Sequence, residues 1–132
     1  MPNTENPLNL ASRLLTDDWQ VATLEARIAK YLRRRSGVSL AELSRDIPGF
    51  TGDEMWGRGD LNIVLWADMS KPAIRAMGKL IAEDRVTPTP TNWLVYNFDG
   101  GVLDMPIAET ITQRYDVPHW LPVVFASNEE AA

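Results

Sequence analysis

The sequence predicts an α+β fold: three or four helices, then a small antiparallel β-hairpin or meander, then a C-terminal extension. Three observations predict it. Apolar residues recur at helical spacing between Val21 and Leu32 and again between Ile74 and Ile81. The run Trp93-Leu94-Val95-Tyr96-Asn97-Phe98 is rich in β-formers, and Asp99-Gly100-Gly101 separates it from Val102-Leu103-Asp104-Met105 as a hairpin turn would. The predicted division is an N-terminal arm at residues 1–15, one domain at 16–107, and an extension at 108–132 that packs on the domain or on a partner.

The first helix is expected to start at Thr16-Asp17-Asp18, with Asp17 as cap and Gln20 at the reciprocal position of a capping box. Its apolar face is Val21, Leu24, Ile28, Tyr31 and Leu32. Arg33, Arg34 and Arg35 fall in its last turn, where cations oppose the partial negative charge of the helix end, and Gly37 stops it. The same arginines also suit phosphate. Val38 reads as a short extended link. Ser39-Leu40-Ala41-Glu42 is a second capping box, and Leu40, Leu43 and Ile47 give the short second helix one apolar stripe before Pro48-Gly49 ends it.

Residues 48–60 contain four glycines and Trp56 and read as an insertion, either a surface loop or a contact element. The segment 61–69 fits a short helix or a buried strand, because periodicity does not separate the two for so short an apolar run. Ser70 then caps a helix to Arg85, with Pro72 in its first turn and Ile74, Met77, Leu80 and Ile81 inward. Lys71, Arg75 and Lys79 lie four apart and form a basic stripe displaced from that apolar face. Gly78 sits beside it, where a helix-interior glycine costs about 1 kcal/mol against alanine.

Residues 87–91 alternate threonine and proline and suit an edge strand or a stiff link. The expected hairpin tip, Asp99-Gly100-Gly101, carries one acid and no base. Residues 107–115 fit a short helix. Residues 116–125 are apolar and divided by Pro118 and Pro122, so their aromatics must find cover on the body or on a partner.

Composition narrows the function classes. The chain has 132 residues, 45% of them hydrophobic, with five tryptophans and no cysteine, which excludes disulfides, thiolate metal sites and a cysteine nucleophile. One histidine, His119, excludes multi-histidine metal sites. The expectation is a non-enzyme without cofactor or metal and with no catalytic residues. No apolar run approaches the length of a membrane span and no signal peptide is visible, so a cytoplasmic location is expected. The net charge is −5 from 13 basic and 18 acidic side chains. It is unevenly spread: bases outnumber acids by two from Trp19 to Val86, and acids outnumber bases by five from Thr87 onward.

The element order resembles the winged helix-turn-helix superfamily of bacterial and phage DNA-binding proteins. The residues that carry the resemblance are the Leu24/Ile28/Leu32 helix, the capped helix from Ser39 to Ile47, the helix from Ser70 to Arg85, and the expected hairpin from Trp93 to Met105. The resemblance implies a small regulator that binds double-stranded DNA through its third helix, with Lys71, Arg75, Lys79, Arg33, Arg34 and Arg35 as phosphate contacts and a homodimer as one assembly. The inserted segment, the wing tip without bases and the acidic balance depart from that pattern. The alternative is an acidic protein-interaction module, an adaptor or a nucleic-acid mimic, with Trp56, Trp120 and Phe125 as its contact surface. A continuous positive patch of the six cations supports DNA. Their pairing with acids, together with an exposed patch formed by Trp56 and the tail, supports a protein partner.

Overall fold

The computed structural model describes residues 7–129, with side chains described from residue 18. Among the described residues the fold is α+β, with four α-helices and two small sheets. In order the elements are α1 (Pro7–Arg34), β1 (Val38–Ser39), α2 (Leu40–Asp46), β2 (Thr51–Arg58), β3 (Ile63–Met69), α3 (Lys71–Ala82), β4 (Val86–Pro90), α4 (Trp93–Phe98), β5 (His119–Trp120) and β6 (Val123–Ser127). One sheet has the order β1-β6-β4, all antiparallel; the other has β2-β3-β5, antiparallel and then parallel.

The helices follow the local signals closely. Ser39 caps α2 by accepting from Glu42 N at 3.0 Å, and Ser70 caps α3 by accepting from Ala73 N at 3.1 Å. Leu24, Ile28 and Leu32 of α1 share one buried core with Ala73, Ala76, Met77 and Leu80 of α3, and the two helices pack on each other. The start of α1 differs from expectation. The helix already begins at Pro7, so 7–15 is helical and Asp17 lies inside the helix instead of capping it. Pro7 suits a first helical turn, and the leucines and alanine that follow are strong helix formers. Residues 1–6 of the expected arm lie outside the described residues.

The insertion contains a strand, and the segment left open between helix and strand is a strand. Residues 51–58 of the supposed insertion form β2, and 63–69 form strand β3, which buries Ile63, Val64, Trp66 and Met69. Asn62, in the left-handed region at φ 56°, turns the chain between them.

The largest correction concerns the expected hairpin. Trp93–Phe98 is a helix, not a strand, and Val102–Met105 pairs with nothing. Asn92 caps this helix by accepting from Leu94 N at 2.9 Å. Asp99-Gly100-Gly101 is therefore a helix stop: Gly100 takes φ 100° and Gly101 N returns to Tyr96 O at 3.0 Å, closing the turn in the Schellman manner. Tertiary contacts override β-propensity here. The α4 turn carries Tyr96 into the core, where its hydroxyl accepts from Leu40 N at 3.1 Å and donates to Val123 O at 2.6 Å. Tyr96 thus ties α2 to β6.

The strand pair expected at 93–105 forms elsewhere, between β4 and β6. Pro88 faces Phe125 and Pro90 faces Val123, so the threonine-proline segment is the edge strand of this sheet and the tail supplies its middle. Residues 107–115 are irregular instead of helical and touch β5 at both ends, through the Ile107–Trp120 bridge, the bond from Ala108 N to Trp120 O at 2.7 Å, and the stacking of Tyr115 on His119. Trp66, Tyr96 and Trp120 form the aromatic centre, with ring centroids 5.1 to 6.1 Å apart.

Candidate nucleic-acid interface

The exposed face of α3 consists of Lys71, Arg75, Gly78, Lys79 and Ala82, opposite the buried Ala73, Ala76, Met77 and Leu80. The basic stripe inferred from four-residue spacing is therefore on the surface. A Cβ on Gly78 would meet nothing within 4 Å, so no neighbouring element among the described residues requires that glycine. It leaves a shallow gap between Arg75 and Lys79.

The six predicted cations do not form one continuous positive patch. Lys79 pairs with Glu25 of α1 at 3.3 Å, and Lys71 lies 3.6 Å from Glu54 of β2. Arg33 pairs with Glu129 at 3.0 Å, and Arg35 with the buried Glu42 at 2.6 Å. Arg34 and Arg75 have no ion-pair partner among the described residues. The physical reason is the packing of α1 on α3. It brings Glu25 against Lys79 and Arg85, while Arg85 and Arg33 share Glu129, so alternating charges run along that seam. Arg85 holds the Glu129 carboxyl below the ordinary carboxylate range by its hydrogen bond, with Arg33 adding to the effect. Lys71–Glu54 is an exposed pair of a kind worth no more than about 1 kcal/mol, and a phosphate can displace it.

A second basic stripe escaped the sequence reading. Arg27, Lys30 and Arg34 recur at three and four residues along α1 and are exposed together. The adjacent arginines at 33–35 drew attention to the helix end, whereas neighbours in sequence point in different directions on a helix; the signal was the helical spacing that includes Arg27 and Lys30. These three line a 260 Å³ cleft with Tyr31, Ile47 and Pro48. Arg27 also donates to Pro48 O at 3.1 Å and borders a 340 Å³ cleft that runs past Trp19 and Leu24 to Ser70 and Pro72 at the start of α3. Arg27 is the one basic residue lining that cleft, which reaches α3 at Pro72 beside its cap Ser70.

The expected protein-contact residues lie mostly inside. Trp120 and Phe125 are 1% and 0% exposed, because β5 and β6 are strands of the two sheets and not an appended tail; they offer no contact surface. Trp56 is half-buried and stacks on Phe125 at 6.2 Å between ring centroids. The exposed apolar side chains are others, chiefly Trp93, Leu94 and Phe98 on α4. His119 stacks on Tyr115 and its Nδ1 lies 2.8 Å from Val117 O, a packing role. Among the described residues no cluster of histidine and carboxylates is arranged to hold a metal ion, and no helix is long and apolar enough to cross a membrane.

No family model matches the chain, and no curated protein or solved structure shows significant similarity to it.

Proposed function

We propose that this chain is a DNA-binding regulator of winged helix-turn-helix type that engages duplex DNA through α3. The observation that carries this reading is the arrangement around the β1-β6-β4 sheet. Helices α1, α2 and α3 precede an antiparallel strand pair, β4 and β6, and the small strand β1 between α1 and α2 joins that pair. The wing of this arrangement is then the excursion at residues 91–122, including α4, rather than a short hairpin tip.

Lys71 and Arg75, flanked by the gap at Gly78, offer α3 to a groove, and Arg27, Lys30 and Arg34 offer phosphate contacts on α1. Lys79 contributes less because Glu25 already holds it. The number of free cations and the net charge of −5 give modest affinity for a single copy.

Titration of mixed-sequence duplex DNA at low and moderate salt tests this. Each phosphate contact steepens the plot of log affinity against log salt by about 0.9, so replacing Lys71, Arg75 and Lys79 by alanine together should flatten it by about 2. Gly78→Ala should raise the melting temperature, yet weaken DNA binding by filling the gap. Absence of binding at low salt overturns the reading.

A second reading rests on α4. Trp93, Leu94 and Phe98 are 44%, 45% and 87% exposed, and Leu94 and Phe98 share one face of the helix at four-residue spacing. If DNA does not bind, this face and not Trp120 or Phe125 is the surface for a protein partner.

A further inference from the structure

The four outer strands of the two sheets are not alike. β1 and β5 are two residues long, and β4 carries Pro88 and Pro90. Short strands and prolines are the usual ways in which a sheet edge is closed to further pairing. β2 has neither protection. It is eight residues long, contains no proline, has β3 as its only strand neighbour among the described residues, and is exposed at six of its eight positions. Its pairing with β3 shifts register three times: between Thr51 and Glu54, which both face Met69, and again between Glu54 and Trp56 and between Trp56 and Gly57, where the extra residues belong to β3. Glu54 to Arg58 therefore carries no extra residue of its own and lies on an outer strand of its sheet.

We propose that this edge pairs antiparallel with the β2 of a second copy, about a two-fold axis at Trp56. In a two-fold antiparallel pair each residue faces one whose backbone points the same way, so the axis passes through a residue position and alternative registers differ by whole residues. With the axis at Trp56, Glu54 faces Arg58 of the second copy and Arg58 faces its Glu54. Met55, 60% exposed in the single chain, lies across from Gly57, which has no side chain to obstruct it. An axis at Gly57 would instead set Glu54 against Asp60, and an axis at Glu54 would set it against itself, so repulsion rejects both. An axis at Met55 leaves the charges unmatched. The strand is self-complementary in one register only.

The present partners of these charges do not oppose the pairing. Glu54 lies 3.6 Å from Lys71, and Arg58 bonds Asp60 two residues away at 2.9 Å; all four side chains are at least 40% exposed, and such pairs are worth little. This inference is independent of the nucleic-acid reading, since it needs no ligand.

Sedimentation velocity over a concentration series tests it on the full chain. The native protein should show a monomer–dimer equilibrium. Arg58→Glu alone, or Glu54→Arg alone, sets like charges together twice by symmetry and should weaken dimerisation about tenfold. The two substitutions combined exchange the charges, leave the net charge unchanged, and should restore the native affinity. Lys30→Glu, on α1, controls for the fall in net charge of Arg58→Glu, and thermal unfolding of each variant verifies folding. A chain that stays monomeric at hundreds of micromolar overturns the proposal. So does a dimer indifferent to the single reversals, or one that the combined exchange fails to restore.

Discussion

The two three-stranded sheets are built by opposite strategies. In β1-β6-β4 the middle strand arrives last, and the register of Val38 with Phe125 joins residues from the two ends of the domain. In β2-β3-β5 the first two strands are a local hairpin turned at Asn62, and only two residues of β5 come from afar. The first sheet holds Val38, Val86, Val123 and Phe125 fully inside and has closed edges. The second shares Ile63, Trp66 and Met69 with the same core but leaves one long edge in solvent. Long-range closure therefore fixes the fold, and the local hairpin can carry variation without loss of the core. That division also suits the proposed roles, since the closed sheet supports α3 and the open one is free to pair.

The sharpest break of this comparison is truncation after Tyr115. It removes β5 and β6 together, deleting the middle of one sheet but only a two-residue edge of the other. Phe125, Val123 and Trp120 leave the core, each of them worth several kcal/mol when a large core side chain is lost. Cooperative thermal unfolding, followed by far-ultraviolet circular dichroism, should disappear. A truncated chain that melts within a few degrees of the native one would mean that the local hairpin, not the closed sheet, determines stability.

The second break acts on the open sheet. A Cβ on Gly57 would lie 2.1 Å from Ile63 O and 2.9 Å from Val64 Cα, both backbone atoms. Gly57→Ala must therefore push β2 away from β3, at a cost of about 1–3 kcal/mol. Gly59→Ala, with nothing within 4 Å, should cost far less and serves as its control. Hydrogen exchange should show lost protection at β2 and β3 in the Gly57 variant while β6 amides keep theirs. Equal loss at both sheets would show that they do not open separately.

The same contrast explains what the sequence made legible. Capped helices announce themselves locally, so α2 and α3 and the basic stripe of α3 were readable from Ser39, Ser70 and four-residue spacing. Val38 was readable as a small extended link for the same reason. The closing strand was not. Val123-Val124-Phe125 looks like an apolar tail because its partners, Val38 and Pro88, lie far away in sequence. Conversely, Trp93–Phe98 is strand-like in composition, yet the Asn92 cap, the glycine stop and the reach of Tyr96 to Leu40 and Val123 hold it as a helix. Charge pairing was hidden similarly: Glu25 meets Lys79 only once α1 has packed on α3. Arg27, Lys30 and Arg34 were legible by spacing, but the consecutive arginines masked them.

The mildest perturbation is pH, and it acts on the corner that delivers β1 to the closed sheet. There the Tyr31 hydroxyl reaches two carboxylates of α2, Glu42 and, at 2.6 Å, Asp46. The hydrogen bond from Arg45, helped by that from Tyr31, holds Asp46 down at about 2. A carboxylate depressed on folding contributes stability that is complete above its unfolded value of about 3.9 and lost as pH falls toward the folded one. Tyr31 shifts the other way: burial first, then its bonds to Asp46 and Glu42, favour the neutral phenol and raise its titration above the ordinary tyrosine range. Its contribution is complete below about 10 and lost as pH rises beyond that. Melting temperature against pH should accordingly fall at both extremes. Asp46→Asn should flatten the acid limb, and Tyr31→Phe should reduce the alkaline limb without removing it, because buried Tyr96 is raised by desolvation as well. Both shifts should be smaller than that of Gly57→Ala, since Asp46 and Tyr31 remain in contact with solvent. If hydrogen exchange at the extremes begins in β2 and β3 instead of α2 and β1, the corner is not where the closed sheet takes its pH dependence.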